Sequence, residues 1–259
     1  MRCQLVFTPW ESKAFIAKVI LQHPLIEATL EEGVIGIGRG TTNAYIIKEI
    51  LDHTDNKDFS FDIANYVAGC IDGSLWVSHP DTRAPEIAFI NGKPNIQPIS
   101  QTVEDADVLL KGANAIDSEG IAGVLCAHPQ MGTIGTIYAR SLARGVPIIV
   151  PISLEKQINH DITEILPFLG GQVNIDYVHG LPVSLFPIVG GELFTEIEAI
   201  EFIAPSSDVY HIGSGGIYNG AGAVILEVNG VEDELKDLIS IYEEIKRIKP
   251  LNVNLKPHS

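Results

Sequence analysis

Basic residues are scarce in this chain. Seventeen lysines and arginines stand against 33 aspartates and glutamates, a formal charge of −16 over 259 residues. Nucleic acid and anionic membrane surfaces both require a basic footprint, so neither is expected as a partner. Cysteine is also rare: Cys3, Cys70 and Cys126 are odd in number and share no C-x-x-C spacing. That argues for buried free thiols in a reducing compartment, and a cytoplasmic location is expected. No stretch approaches the roughly 18 apolar residues that span a bilayer, and the opening Met1–Trp10 has no signal-like apolar core. The histidines fall at no zinc-ligand spacing, so neither a metal nor another cofactor is expected. Low-complexity tracts and fixed-period repeats are lacking too.

What remains is ordinary globular composition, 46% hydrophobic and 19% charged, long enough for one large or two small domains. The most informative stretch is Val34-Ile-Gly-Ile-Gly-Arg-Gly-Thr-Thr-Asn-Ala-Tyr45. It reads as a short apolar strand, a glycine turn and two threonines opening a helix. Gly38 and Gly40 would bring backbone N–H groups close to a guest. Arg39 lies between them, and Thr41 and Thr42 add hydroxyl donors at a positive helix end. A phosphate or carboxylate suits that place. Plain helix–strand packing suits it as well, and the residues alone do not decide. No Gly-Lys-[Ser/Thr] marks a P-loop, and Gly36-Ile-Gly38-Arg-Gly40 lacks the G-x-G-x-x-G of dinucleotide sites.

Along the chain, periodicity predicts helices over 12–22, 25–32 and 42–51 and strands over 34–37, 66–71, 75–78 and 86–90. Asp72-Gly73 and Asn91-Gly92 mark turns, and 79–83 forms a polar loop. A strand over 108–110 delivers Lys111, Asn114 and Asp117 at its carboxyl end, where open α/β sheets bind ligands. These three would bind a phosphate and orient a hydroxyl, or else form a surface turn. A strand over 122–127 leads through His128 and the Gly132-Thr133 turn into a helix ending near Arg144. Two glycine–threonine turns at helix N-termini argue that both face one anion. His128 is either an acid–base group or merely hydrogen-bonded. A strand over 146–151 precedes Lys156.

Beyond residue 160 the pattern gives strand 183–187, helix 192–202, strands 208–212 and 223–228, helix 232–248 and strand 251–255. That β-α-β-β-α-β order is ferredoxin-like. Gly213–Gly222 reads as a phosphate loop or as a hairpin. The fold expected is therefore α/β: a Rossmann-like, mostly parallel sheet flanked by helices over 1–160, then a smaller ferredoxin-like α+β lobe over 161–259. That lobe's exposed sheet, or the apolar strands of 65–90, would serve a homo-oligomer.

The first 160 residues resemble the superfamily of ribose-5-phosphate isomerase, glucosamine-6-phosphate deaminase and the CoA transferases, nearest the isomerase. Ile35-Gly-Ile-Gly-Arg-Gly-Thr-Thr42 is similar to the isomerase loop that grips the sugar phosphate. Leu110-Lys-Gly-Ala-Asn-Ala-Ile-Asp117 is similar to its Asp-Gly-Ala-Asp-Glu segment, and Gln130-Met-Gly-Thr-Ile-Gly135 falls where it has Lys-Gly-Gly-Gly. Ile149–Lys156 lies over its Ala-Asp-x-Ser-Lys segment, so Lys156 matches its lysine. The whole chain resembles still more an uncharacterised prokaryotic family sharing Gly-Thr-Thr-Asn-Ala-Tyr and Lys-Gly-Ala-Asn-Ala. Yet Lys111 and Asn114 replace the isomerase's two aspartates, and Thr133–Arg144 contains no Asp or Glu where the catalytic glutamate belongs. The resemblance thus implies a retained phosphate loop without the usual base.

Together these readings lead us to expect a protein that binds a phosphorylated small molecule such as a sugar phosphate, with isomerisation by proton transfer as the reaction class. Gly38, Arg39, Gly40, Thr41, Thr42, Asn114, Gly132, Thr133 and Lys156 would bind, and Lys111, Asp117 and His128 would act in catalysis. The alternatives are a non-catalytic metabolite sensor working through a protein partner, or a CoA transferase with Glu155 as nucleophile.

Overall fold

The computed structural model describes residues 1–61, 63–66, 84–170 and 175–249. Its centre is a mixed sheet of six strands. Four of them, β2 (Val34–Ile37), β5 (Val108–Leu110), β8 (Ile148–Pro151) and β10 (Glu192–Phe194), run parallel in the order β10-β8-β5-β2. Two antiparallel strands, β3 (Ile87–Ile90) and β4 (Lys93–Ile96), complete the β2 side. The turn joining them is Asn91-Gly92, and both residues take positive φ, as that dipeptide favours.

Alternation along the buried strands feeds two cores. Ile35, Ile37, Val108, Leu110 and Ile149 face a cluster with α1 (Pro9–Val19), α3 (Thr41–His53) and α7 (Glu196–Ile203). Leu109, Ile148 and Val150 point the other way, toward α4 (Ile99–Asp105) and α5 (Gly132–Arg144). Helices thus cover both faces of the parallel half, as such strands require. Gly36 is needed for this packing: a Cβ there would lie 2.6 Å from Leu109 Cδ2 and 2.8 Å from Thr102 Cγ2.

The chain also forms two small antiparallel sheets, β6 (Ala115–Ile116)-β7 (Ala122–Cys126)-β9 (Ser184–Ile188) and β1 (Arg2–Phe7)-β12 (Ala223–Asn229)-β11 (Asp208–Gly215). The second packs under α8 (Glu232–Arg247) through Leu5, Phe7, Leu226, Val228, Leu235 and Leu238.

Several expectations are corrected here. The elements after residue 160 do not form one ferredoxin-like sheet. Instead β9 pairs with β7, β10 with β8, and β12 with β1, so strands from both sides of residue 160 are interleaved. Residues 192–194 are strand rather than helix, because Thr195 and Glu198 form a reciprocal capping box that starts α7 only at Glu196. The strand before His128 leaves the parallel sheet altogether. Strands β1, β4 and β6 were not anticipated. Most of 66–71, all of 75–78 and 251–255, and the 79–83 loop lie outside the described residues.

Candidate functional site

The parallel strands end at one edge of the sheet, and the chain segments that leave them build the site. From β2 come Gly38–Thr42, from β5 Lys111–Asn114, from β8 Ser153–Lys156. The edge is tied down by backbone and buried side chains. Asn43 donates from Nδ2 to the carbonyls of Gly38 at 2.6 Å and Leu110 at 3.2 Å, clamping the ends of β2 and β5. Tyr66 donates its hydroxyl to Ile37 O and accepts from Ile87 N, doing the same for β2 and β3.

The glycine turn is less open than its sequence suggests. Gly38 N–H donates to Leu110 O and Gly40 N–H to Tyr66 O, so neither is free for an anion. A Cβ on Gly38 would meet Lys111 Cδ at 2.9 Å and Thr133 Cγ2 at 3.4 Å. Packing is therefore one reason for Gly38. Around Gly40, in contrast, a Cβ would meet nothing within 4 Å. The first helix bond runs from Ala44 to Gly40, so the N–H groups of Thr41, Thr42 and Asn43 have no backbone acceptor among the described residues.

The two glycine–threonine turns do converge, and a carboxylate of the protein lies between them. Glu86 is buried just before β3 and receives Arg39 in a two-pronged pair, with both contacts at 3.0 Å. Thr133, at the start of α5, reaches the same carboxylate at 3.4 Å. Glu86 was missed in the sequence because its partner lies 47 residues away. The antiparallel register of β3 against β2, which sets Ile87 opposite Ile37, is what brings it to Gly38.

Two lysines on this edge have no such partner. Lys111 is 8% exposed and its Nζ donates to Gly112 O at 2.9 Å. Lys156 Nζ donates to Ala113 O at 2.9 Å. Among the described residues neither has a carboxylate within salt-bridge distance. Burial pushes Lys111 down to about 8. Burial, then repulsion from Lys13 and Lys111, brings Lys156 to about 8 against the opposing pull of Glu155 and Glu196. Cys126, half-buried near Lys111, is pushed up by burial and bonds to Met131 O.

The remaining expected residues have these partners. Asp117 is buried and accepts from three backbone N–H groups, those of Glu119, Ile121 and Ile162. Asn114 is exposed and its Oδ1 accepts from Leu125 N. His128 is exposed, with Nδ1 accepting from Gln130 N. Gly132 opens α5 at φ 55°, following Met131 at 58°. Glu155 faces Lys13 at 3.9 Å and lies against Gly222. No helix of the described residues is long and apolar enough to cross a membrane. No protein-family model matches the chain, and no curated protein matches it in sequence.

Proposed function

We propose that this protein binds a small anionic metabolite, a sugar phosphate in the reading the resemblance favours, at the carboxyl edge of β2, β5 and β8. One observation carries this: among the described residues, the ammonium groups of buried Lys111 and half-buried Lys156 donate to carbonyls, and neither has a carboxylate within salt-bridge distance. A buried charge without a counter-ion is costly, and an exchangeable anion is the simplest compensation. The N–H groups at the start of α3, without a backbone acceptor among the described residues, would with Thr41 and Thr42 take the remaining phosphate oxygens. The parallel half of the sheet would then act as a Rossmann-like platform.

For turnover, the edge offers Lys111, whose neutral amine becomes accessible near pH 8, and the Glu86 carboxylate. Asp117 accepts from backbone N–H groups on both carboxylate oxygens, and His128 accepts from Gln130 N on Nδ1 alone. A second reading, a sensor without turnover, draws support from the Arg39 pair, which occupies Glu86.

Thermal melts with sugar phosphates, CoA esters and inorganic phosphate test the binding. A sugar phosphate should raise Tm by mass action in the wild type and not in Lys111→Met or Lys156→Met. A chain that no anion stabilises would remove the reading. Deuterium uptake from D2O into carbon-bound positions of the bound ligand separates isomerase from sensor. We also read the outer face of the β1-β12-β11 sheet, with exposed Val6, Tyr210 and Ile212, as the seat of a cytoplasmic homo-oligomer. Light scattering on Tyr210→Glu should then report the monomer.

A further inference from the structure

Away from the anion edge, strand β11 carries a second arrangement with chemical meaning. In a regular strand, residues three apart point to opposite faces. A bulge between His211 and Gly213 inserts one residue and shifts that phase. His211 and Ser214 consequently meet, with Nε2 2.8 Å from Oγ. On the other side of the ring, His211 Nδ1 lies 3.1 Å from Gln157 Oε1, which comes from the turn after β8. A hydroxyl, an imidazole and a carbonyl oxygen thus stand in line, a nucleophile bonded to a base that a third group orients.

The surroundings fit that role. Ser214 is exposed and flanked by Gly213 and Gly215, and a Cβ on either would meet nothing within 4 Å. Among the described residues strand β11 is bonded only to β12, which leaves N–H groups on its other edge to face a developing oxyanion. Ile217 and Tyr218, three and four residues on, are 78% and 92% exposed and offer apolar contact to an acyl chain. Gly213 O, 3.0 Å from Nε2, would stabilise the ring once it carries a second proton.

We propose that Ser214, His211 and Gln157 form an acyl-transfer site for small uncharged esters. The formal charge of −16 disfavours anionic acyl donors there. Ser214 Oγ attacks the ester carbon while His211 Nε2 takes its proton. The carbon–oxygen bond to the alcohol breaks, and Nε2 returns the proton to that alcohol. Water, deprotonated by the same nitrogen, then releases the acid and restores Ser214. Gln157 is a positioning residue, holding Nδ1–H so that Nε2 presents its lone pair.

The test uses the full-length chain with a fluorophosphonate, which transfers its phosphonyl group to an activated serine and releases fluoride. Intact mass and peptide mapping should find one label, on Ser214, and p-nitrophenyl acetate should be hydrolysed. Ser214→Ala should abolish both with an unchanged melt. His211→Gln should slow labelling at least 100-fold and remove its decline on acidification. Gln157→Leu should slow it about tenfold by freeing the ring's orientation. A wild type that takes no label at Ser214, or labels equally fast without His211, overturns the proposal. Ser214 and His211 lie on β11, outside the anion edge, and Gln157 alone adjoins it next to Lys156, so that result would leave the anion reading standing.

Discussion

Two glycine-rich turns lie in this molecule, and they differ in what their glycines are for. In the Val34–Thr42 turn, Gly36 and Gly38 are enclosed by Leu109, Thr102 and Lys111, and the N–H groups of Gly38 and Gly40 are consumed by neighbouring backbone. In the Gly213–Gly222 turn, Gly213, Gly215 and Gly220 face open space. Only Gly216 and Gly222, at φ 110° and 81°, are held there by conformation. The first turn is a packed platform, and the function proposed for it rests on the Lys111 and Lys156 charges beside it. The second is an open strand edge whose function rests on access. Substitutions at Gly36 and Gly38 should therefore move stability, and those at Gly213, Gly215 and Gly220 should not.

The largest effect is expected at Glu86. Removing its charge leaves Arg39 without its buried partner, which costs about 3 kcal/mol, near the low end for such pairs because Arg39 keeps some solvent contact. Urea unfolding of Glu86→Gln measures this. A loss below 1 kcal/mol would mean that solvent already screens the pair.

Lys111→Met should act in the opposite direction, raising stability by about 2 kcal/mol at pH 7, since the charged amine is held at a cost. The pH dependence gives an independent check. In the unfolded chain this lysine keeps its proton to its ordinary value of 10.5, whereas in the fold it loses it at about 8. Between those values the unfolded state binds more protons, so wild-type stability rises with pH across that window. The variant should show a shallower rise, with the remainder from Lys156. Identical slopes in both proteins would show that Lys111 is not the group held at this cost.

Much of the platform was legible in the sequence, for a local reason. Strands β2, β5 and β8 are short apolar runs bounded by turn residues, and α3 and α5 each begin one residue before the expected Thr42 and Thr133. Lys111 and Lys156 were placed at strand ends by position alone. Pairing was not legible, because it depends on distant partners. β7 reads as one more apolar strand until β9, some sixty residues later, claims it for an antiparallel sheet. Glu86 looks like the polar start of a strand until Arg39 meets it. The Thr195–Glu198 capping box was legible, since Thr-x-x-Glu is a start signal, and attention to it would have placed β10 correctly. Asp117 shows the reverse failure: a carboxylate at a strand end has the right address for catalysis, but three backbone donors make it a structural acceptor. Composition gives no means of counting those donors.

A smaller effect is expected at Gly36. Alanine there forces a methyl carbon into contact with Leu109 and Thr102, and overpacking of this kind costs about 1.5 kcal/mol. Leu109→Ala in the same chain should relieve part of the clash, which separates crowding from backbone preference. If the double variant lost the full sum of two independent penalties, the clash would not be the cause.

The smallest effect, and the sharpest contrast, belongs to Gly213→Ala. Its Cβ meets nothing, its φ requires no glycine, and the strand edge is exposed, so stability should change by less than about 0.5 kcal/mol. Fluorophosphonate labelling should hold at the wild-type rate, because the new methyl points to the strand face opposite Ser214. Gly36→Ala should differ in stability alone, losing it while Ser214 labels at the wild-type rate. A Gly213→Ala chain that unfolds early would make the second turn another packed element. The contrast drawn between the two turns would then collapse, and with it the reason for reading the open one as a place of access.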